Sequence, residues 1–431
     1  MIATKDYIKD LKGTSDVTCL LQELINKAAS ENEVLVISKG VYLINPIFLE
    51  SNMEIIFEDG ATLMSFHNEK EIKDIKTRVA GIDLDWYPAL LNIIDKENVI
   101  IRGDGIIDGD GKFFWEKYWG ADTKGGMRKE YDAKGLRFLC DYDCKRLRNV
   151  LVQNSKNIIL TDFTSKDSGF WNIHILYSQD IKILNVRIEA DSLNSPSTDG
   201  IDIDSSKNVL IDGVIASCND DSIAIKSGRD ADGILKNIPT KNIEIKNTTI
   251  LKGFGITLGS ELSGGITDIN IHDIKFHNTD CGFRIKSSKS RKGYIKNVIF
   301  KNIEMKNVKY SIHINLNWNQ AYNNIGNLKL DNMAYLKLKQ EVPAHLADTS
   351  ISNVLIENVN SELTPSHEGI SRALHIEGSS TNDISKFIIK NAKFQVKEFG
   401  TINFINDLKL EDVNFMVLSS YNPKNDEYDT R

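Results

Sequence analysis

The chain has 431 residues, 41% of them hydrophobic and 26% charged, and carries a formal net charge of -7. That composition is the one expected of a soluble globular protein, and the acidic balance disfavours a nucleic-acid partner. No apolar run reaches the roughly eighteen residues of a membrane span, so no membrane partner is expected, and no apolar run of signal-peptide length opens the chain, which gives a cytoplasmic expectation.

In chain order, the first predicted element is a helix from Asp16 to Ala29. Ser15 or Asp16 can cap it, and Leu20, Leu21, Leu24, Ile25 and Ala28 recur at helical spacing. Residues 1–32 are therefore read as a cap on one end of the remaining fold.

Beyond the cap the chain is built from a repeat. A polar residue precedes β-branched residues in strict alternation at Asn98-Val-Ile-Ile-Arg, Asn157-Ile-Ile-Leu-Thr, Asp180-Ile-Lys-Ile-Leu, Asn208-Val-Leu-Ile-Asp and Asn242-Ile-Glu-Ile-Lys. It continues at Asp268, Asn297, Asn327, Asn353, Lys386 and Asp407, at intervals of roughly 21 to 33 residues. Period-two alternation makes each run a strand with one buried face, and the absence of helical pattern between runs excludes a βαβ unit. Stacked coils of parallel strands remain, with the right-handed crossover such strands favour. The expected fold is all-β: one right-handed parallel β-helix over residues 1–431, closed by the N-terminal helix. Asn and Asp at its corners suit left-handed turns that repeat from coil to coil, so these residues are read as scaffold.

Two stretches break the rhythm, residues 64–96 and 110–149. The second is crowded with aromatic and cationic residues, among them Trp115, Trp119, Arg128 and Arg137. Both are read as long loops walling a cleft on one flank of the coil. The five cysteines, Cys19, Cys140, Cys144, Cys218 and Cys281, show neither zinc-site spacing nor a disulfide framework and are read as free thiols. Residues 420–431 are polar and expected to fray.

Two segments one repeat apart carry the chemistry: Ser-Thr-Asp-Gly-Ile-Asp-Ile-Asp at 197–204 and Asn-Asp-Asp-Ser-Ile-Ala-Ile-Lys at 219–226. Superposing Ile201 and Ile203 on Ile223 and Ile225 places Asp199 on Asp221, with Asp220 alongside. The next coils offer Ile256/Leu258 and Phe283/Ile285. Outward columns then read Asp202, Ala224, Thr257, Arg284 and Asp204, Lys226, Gly259, Lys286, while the strand entrance reads Asp199, Asp221, Phe254, Cys281. Adjacent carboxylates cannot all ionise freely, so one remains a protonated acid beside ionised partners, which is the equipment of glycoside hydrolysis. Asp199, Asp220 and Asp221 are the candidate catalytic residues. Arg284, Lys286 and Lys226 would hold an anionic sugar. Metal binding by the three aspartates ranks lower because the basic residues compete with a cation, so neither metal nor cofactor is assigned.

These residues resemble glycoside hydrolase family 28, the polygalacturonases and rhamnogalacturonan hydrolases. The likeness runs along nearly the whole chain, from Lys39-Gly-Val-Tyr-Leu and Glu58-Asp-Gly-Ala-Thr-Leu through the glycine-rich 103–111 and Trp115 to Ser168-Gly-Phe-Trp-Asn-Ile-His174. The resemblance implies a right-handed β-helix with an inverting mechanism, Asp220 as general acid, Asp199 and Asp221 handling the water, and Arg284 and Lys286 binding a substrate carboxylate. It places Trp318 near an aromatic that contacts sugar. Two departures stand out. Ser197 replaces the usual Asn of Asn-Thr-Asp, and Phe254 replaces the usual His of Gly-His-Gly, a residue that rhamnogalacturonan-directed members also lack. Phe254 is therefore a candidate contact for a deoxysugar face or a group that raises a neighbouring carboxylate's pKa by desolvation, Ser197 and Asp202 are candidate binding residues, and His174 is either a satisfied core histidine or a substitute for the missing imidazole. The expectation is an exo-acting hydrolase of galacturonate- or rhamnose-containing pectic oligosaccharides, with the long loops closing one end of the cleft. The rivals are a β-helix polysaccharide lyase, which would use Arg or Lys as base with bound calcium, and a non-catalytic carbohydrate-binding β-helix.

Overall fold

A computed structural model describes residues 1–319 and 333–418. Its strands pair parallel everywhere except in one hairpin, Ile75–Val79 with Ile82–Trp86. An eleven-stranded sheet forms the face that matters for function. Its successive strands include Arg148–Gln153, Ile173–Leu176, Ile201–Asp204, Ile223–Lys226, Ile256–Leu258 and Cys281–Lys286. The remaining faces join in a twenty-stranded sheet, so each coil contributes strands to both and the chain advances as a right-handed parallel β-helix. Ile, Leu, Val and Phe fill the lumen in continuous files: Ile173, Ile201, Ile223, Ile256 and Phe283 are all fully buried. Alternation along each strand explains the file, because every second side chain points inward.

Asparagine corners stack as expected. Asn242 donates to Asn208, which donates to Asp180, all three at φ between 55° and 59°. A left-handed residue with a short amide tolerates that backbone and satisfies the neighbouring coil in the same geometry. The repeat at Asn327 and the tail from residue 420 lie outside the described residues.

The capping helix spans Thr18–Glu31 and buries Leu21, Leu24, Ile25 and Ala28 against the first coils. Leu20, expected in that stripe, is instead 36% exposed. The N-cap position is Val17, and Asp16 serves from one residue earlier by accepting the Thr18 N–H at 2.8 Å. Neither long stretch is a loop. Residues 64–96 contain the antiparallel hairpin, whose Trp86 is fully buried, and residues 110–149 fold into helices Lys112–Trp119, Gly126–Ala133 and Cys140–Asp143. Their aromatic and apolar residues pack a second core with Phe170 and Trp171, which was not readable as periodicity because the segments are short. All five cysteines are free, and only Cys19 is exposed. Among the described residues no helix is long and apolar enough to cross a membrane.

Candidate active site

The sheet delivers the register expected from the sequence: Ile201 pairs with Ile223, Ile223 with Ile256 and Ile256 with Phe283. Backbone bonds between corners fix the entrances of these strands. The Asn172 N–H donates to the Asp199 carbonyl at 2.8 Å, the Gly200 N–H to that of Asp221 at 3.0 Å, and the Phe254 N–H to that of Asp220 at 2.8 Å. Gly253 and Gly255 let the last corner close, since both adopt positive φ and a Cβ on Gly255 would stand 2.1 Å from the Cys281 oxygen. Asp199, Asp220 and Asp221 are thereby brought together, each offering an oxygen within 4.8 Å of the others.

Two lysines buttress the floor. Lys286 donates to Asp221 Oδ2 at 2.7 Å, and Thr257 donates to Oδ1 of the same carboxylate at 2.6 Å. Lys226 donates to Asp199 Oδ2 at 3.1 Å, lies 2.6 Å from Asp202 Oδ1, and sits 4.0 Å from the centroid of the Trp171 ring. Burial lowers an ammonium's affinity for its proton, yet the Asp199 and Asp202 carboxylates outweigh it and hold Lys226 well above the usual range. Asp199 is raised, first by burial and then by Asp221, with Lys226 opposing. Asp220, the most open of the three, is raised well above the carboxylate range by burial and by the charges of Asp199 and Asp221. The trio therefore sets Asp220, whose carboxyl is pushed toward its protonated form, beside two carboxylates that each receive a lysine ammonium. With a lysine nitrogen already on each of Asp199 and Asp221, a cation at the cluster would have to displace or oppose an ammonium.

Above this floor lies a solvent-open cleft. Ser197, Asp199, Asp220, Asp221, Lys226, Phe254, Lys286 and Trp318 line it. The helical segment 110–149 supplies the wall with Tyr118, Trp119, Arg128, Arg137 and Phe138, and the hairpin contributes Ala80 at its turn rather than Trp86.

Three residues expected to touch substrate do not reach that cleft. Asp202 is fully buried under Lys226. His174 is also fully buried, its Nδ1 accepting a hydrogen bond from Arg148 Nη1 at 2.8 Å and its Nε2 facing Asp204 at 3.9 Å. Because Arg148 can only donate, Nδ1 is the bare nitrogen, and burial lowers this imidazole to about 4. It supports the Trp171 ring, 4.9 Å away edge to face, and does not substitute for the missing imidazole. Arg284 is 3% exposed, bonded to Asp280 and held behind Phe254 and Trp318, its guanidinium 5.5 Å from each ring. Lys286 is thus the cation of the Arg-Ile-Lys segment that faces the cleft, and Arg284 braces it from behind, 3.9 Å from Asp221.

The sequence pattern does not single out Trp171, Asn219 or Glu261, all in the cleft lining. Thr257 stood in the outward column without a role; its place directly after Ala224 was the available signal. Trp171 could have been found from its position three residues before His174, which carries it to the rim of the same sheet.

The sequence profile of the glycosyl hydrolases family 28 matches residues 80–362. A probable polygalacturonase of Vitis vinifera is 30% identical over 70% of this chain, and the chain spans about 60% of that relative's length. A Dickeya chrysanthemi exo-poly-alpha-D-galacturonosidase is 25% identical over 95% of this chain and 69% of its own. Among solved structures, a hyperthermoactive exopolygalacturonase from Thermotoga maritima superposes with a TM-score of 0.79 at 25% identity, covering 96% of this chain and 91% of its own.

Proposed function

The chain belongs to the glycosyl hydrolases of family 28, and from that membership and the cleft together we propose that it is an exo-acting, inverting hydrolase of galacturonate-containing pectic oligosaccharides. The observation that carries the reading is the trio of aspartates at the floor of an aromatic-walled cleft, two pinned by lysines and the third pushed toward its protonated form by burial and by its neighbours' charges. Asp220 donates its proton to the leaving glycosidic oxygen. Asp199 and Asp221 hold a water between them and take its proton as it attacks the anomeric carbon from the opposite face. The oxygens of the trio are nearer together than the roughly 6.5–9.5 Å between carboxyl groups usual for inverting pairs. Separation alone would favour retention. The two lysine-held carboxylates argue otherwise, because a nucleophile must advance on the anomeric carbon, whereas Asp199 and Asp221 are tied to the floor. Lys286 offers a point charge to a uronate carboxylate, and Phe254 and Trp318 offer apolar faces to sugar rings.

Exo action is supported by the helical wall of residues 110–149 beside the trio and by the exo activity named for the Dickeya and Thermotoga relatives. Phe254 is the one feature that favours a rhamnose-containing substrate, because its ring in the cleft can pack against a deoxysugar.

The decisive experiment incubates the protein with homogalacturonan and rhamnogalacturonan oligomers in chelator and tracks the products by chromatography and proton NMR. The expected result is a terminal galacturonate released with inverted anomeric configuration and full activity in chelator. A spread of internal fragments would refute exo action, retained configuration the mechanism, and an ultraviolet-absorbing unsaturated product hydrolysis itself. Release of rhamnose instead would move the substrate to rhamnogalacturonan.

A further inference from the structure

One aromatic ring in the cleft lining is not placed as a platform for sugar. Phe254 and Trp318 line the cleft partly exposed, whereas Trp171, in the same lining, is 3% exposed. Its ring stacks on Phe170 at a centroid distance of 4.9 Å and an interplanar angle of 18°, and it meets His174 edge to face at 4.9 Å. The Lys226 ammonium lies over the same ring, 4.0 Å from its centroid. The segment that carries it is fixed as well, because the Ser168 hydroxyl donates to the Trp171 carbonyl at 2.9 Å and strand Ile173–Leu176 begins two residues later. A ring occupied by a phenyl, an imidazole and an ammonium has little surface left for a ligand.

Lys226 shows what that ring does. An ammonium carries three protons. Asp199 Oδ2 at 3.1 Å and Asp202 Oδ1 at 2.6 Å take up two sides of this one, and the indole face lies on another. Asp199, Asp202 and Glu261 act on Lys226, the buried His174 senses its charge, and Asp221 and Lys286 act with it on Asp199. Among these groups only Lys226 and Lys286 favour an ionised Asp199, and Lys286 is bonded to Asp221. The charge state of Asp199 therefore depends on where the Lys226 nitrogen sits. Lysine is a point charge on a flexible four-carbon stem, and this one both touches the buried Asp202 and lines a cleft that admits anions. An aromatic face in a dry site attracts a cation without neutralising it, so the ring can fix the ammonium and leave its full charge to the carboxylates.

We propose that Trp171 is a positioning residue of the hydrolysis: its indole face holds the Lys226 ammonium on Asp199, which keeps that carboxylate ionised as a base and withholds the lysine charge from the substrate. The kinetic consequence rests on the proposed function, whereas the contact itself is tested without turnover.

The test uses the full chain with Trp171→Leu, which removes the aromatic face and keeps an apolar side chain, Trp171→Phe, which retains a smaller face, and Lys226→Met. With galacturonate oligomers as substrate, Trp171→Leu should lower kcat about tenfold, move the acid limb of the kcat/KM profile up by about half to one pH unit, and leave KM within about twofold. Trp171→Phe should recover part of both changes. In a Lys226→Met background, Trp171→Leu should add nothing further to either. Urea denaturation of the two single variants and the double reads the contact independently of catalysis, and the double should lose less stability than the sum of the singles. Where circular dichroism shows Trp171→Leu unfolded, Trp171→Phe is carried through the same cycle. A raised KM with an unmoved acid limb would make Trp171 a sugar platform and overturn the proposal, and additive losses in the cycle would overturn it as well. If the unaltered protein cleaves no galacturonate oligomer, the proposed function falls, and the denaturation cycle alone decides whether Trp171 holds Lys226.

Discussion

Replacing Lys226 by methionine keeps most of the side-chain volume and removes the one ammonium shared by Asp199 and Asp202. Its nitrogen lies 3.1 Å from Asp199 and 2.6 Å from Asp202, and those carboxylates are 4% and 0% exposed. Breaking a buried ion pair by deleting one partner costs about 3–5 kcal/mol, because the remaining charge is left uncompensated. Part of that cost is avoided if both carboxylates take up protons. Protonation of Asp199, already raised by burial, removes one of the two bases that hold the water, so kcat should fall by about 10²–10⁴. Whatever activity remains should show an acid limb displaced to higher pH. Urea denaturation gives the first quantity and the pH profile of kcat/KM the second. Adding Asp202→Asn should restore a large share of the stability and little of the activity, since Asp202 is out of reach of the cleft. A Lys226→Met protein less than about 1 kcal/mol destabilised, with its acid limb unmoved, would refute the account of the floor.

The same geometry sets three further outcomes. Asp220→Asn should cost about 10²–10⁴ in kcat with unchanged circular dichroism, and the alkaline limb of the pH profile, set by loss of the raised Asp220 proton, should vanish. Stability should fall in two steps on acidification, measured by thermal melts. His174 binds its proton at about 4 in the fold against 6.5 when free, so the unfolded chain takes up more protons across that window and stability drops by roughly 3 kcal/mol as pH falls through it. Although burial opposes it, Arg78 together with His174 holds the Asp204 carboxyl at about 2 against 3.8, so a further loss of roughly 2 kcal/mol occurs as pH falls from about 4 to 2, and His174→Gln should abolish the upper step and shrink the lower one. Finally, Gly255→Ala should destabilise by about 2–4 kcal/mol, through strain at φ +80° and a clash with the Cys281 oxygen; a chemical-denaturation midpoint equal to the parent's would contradict that reading of the corner.

The solenoid and the stacking of its coils are legible in the order of residues. Period-two alternation permits one buried face per strand, and a parallel stack in which every coil repeats the last converts a spacing of 22 residues, from Asp199 to Asp221, into spatial adjacency. Hence Asp199, Asp220, Asp221 and Lys286 could be found from the pattern, and so could Thr257 as a member of the column. Which outward-facing positions remain open to solvent is a different matter. Asp202, His174 and Arg284 occupy the same outward file as Thr257, and tertiary packing removes all three from reach. The hairpin Ile75–Trp86 lays Arg78 onto Asp204 at 2.8 Å and turns the neighbouring Asp202, Arg148 and His174 into a buried polar ladder. The helices of residues 110–149 leave a cleft over the trio and set two arginines in its wall. Both segments are insertions whose local pattern is too short to show periodicity, and their positions are fixed by long-range burial of aromatic residues such as Trp86, Phe170 and Trp171. Repetition is a local property that a sequence displays directly, whereas the covering of a surface depends on contacts between segments far apart in the chain.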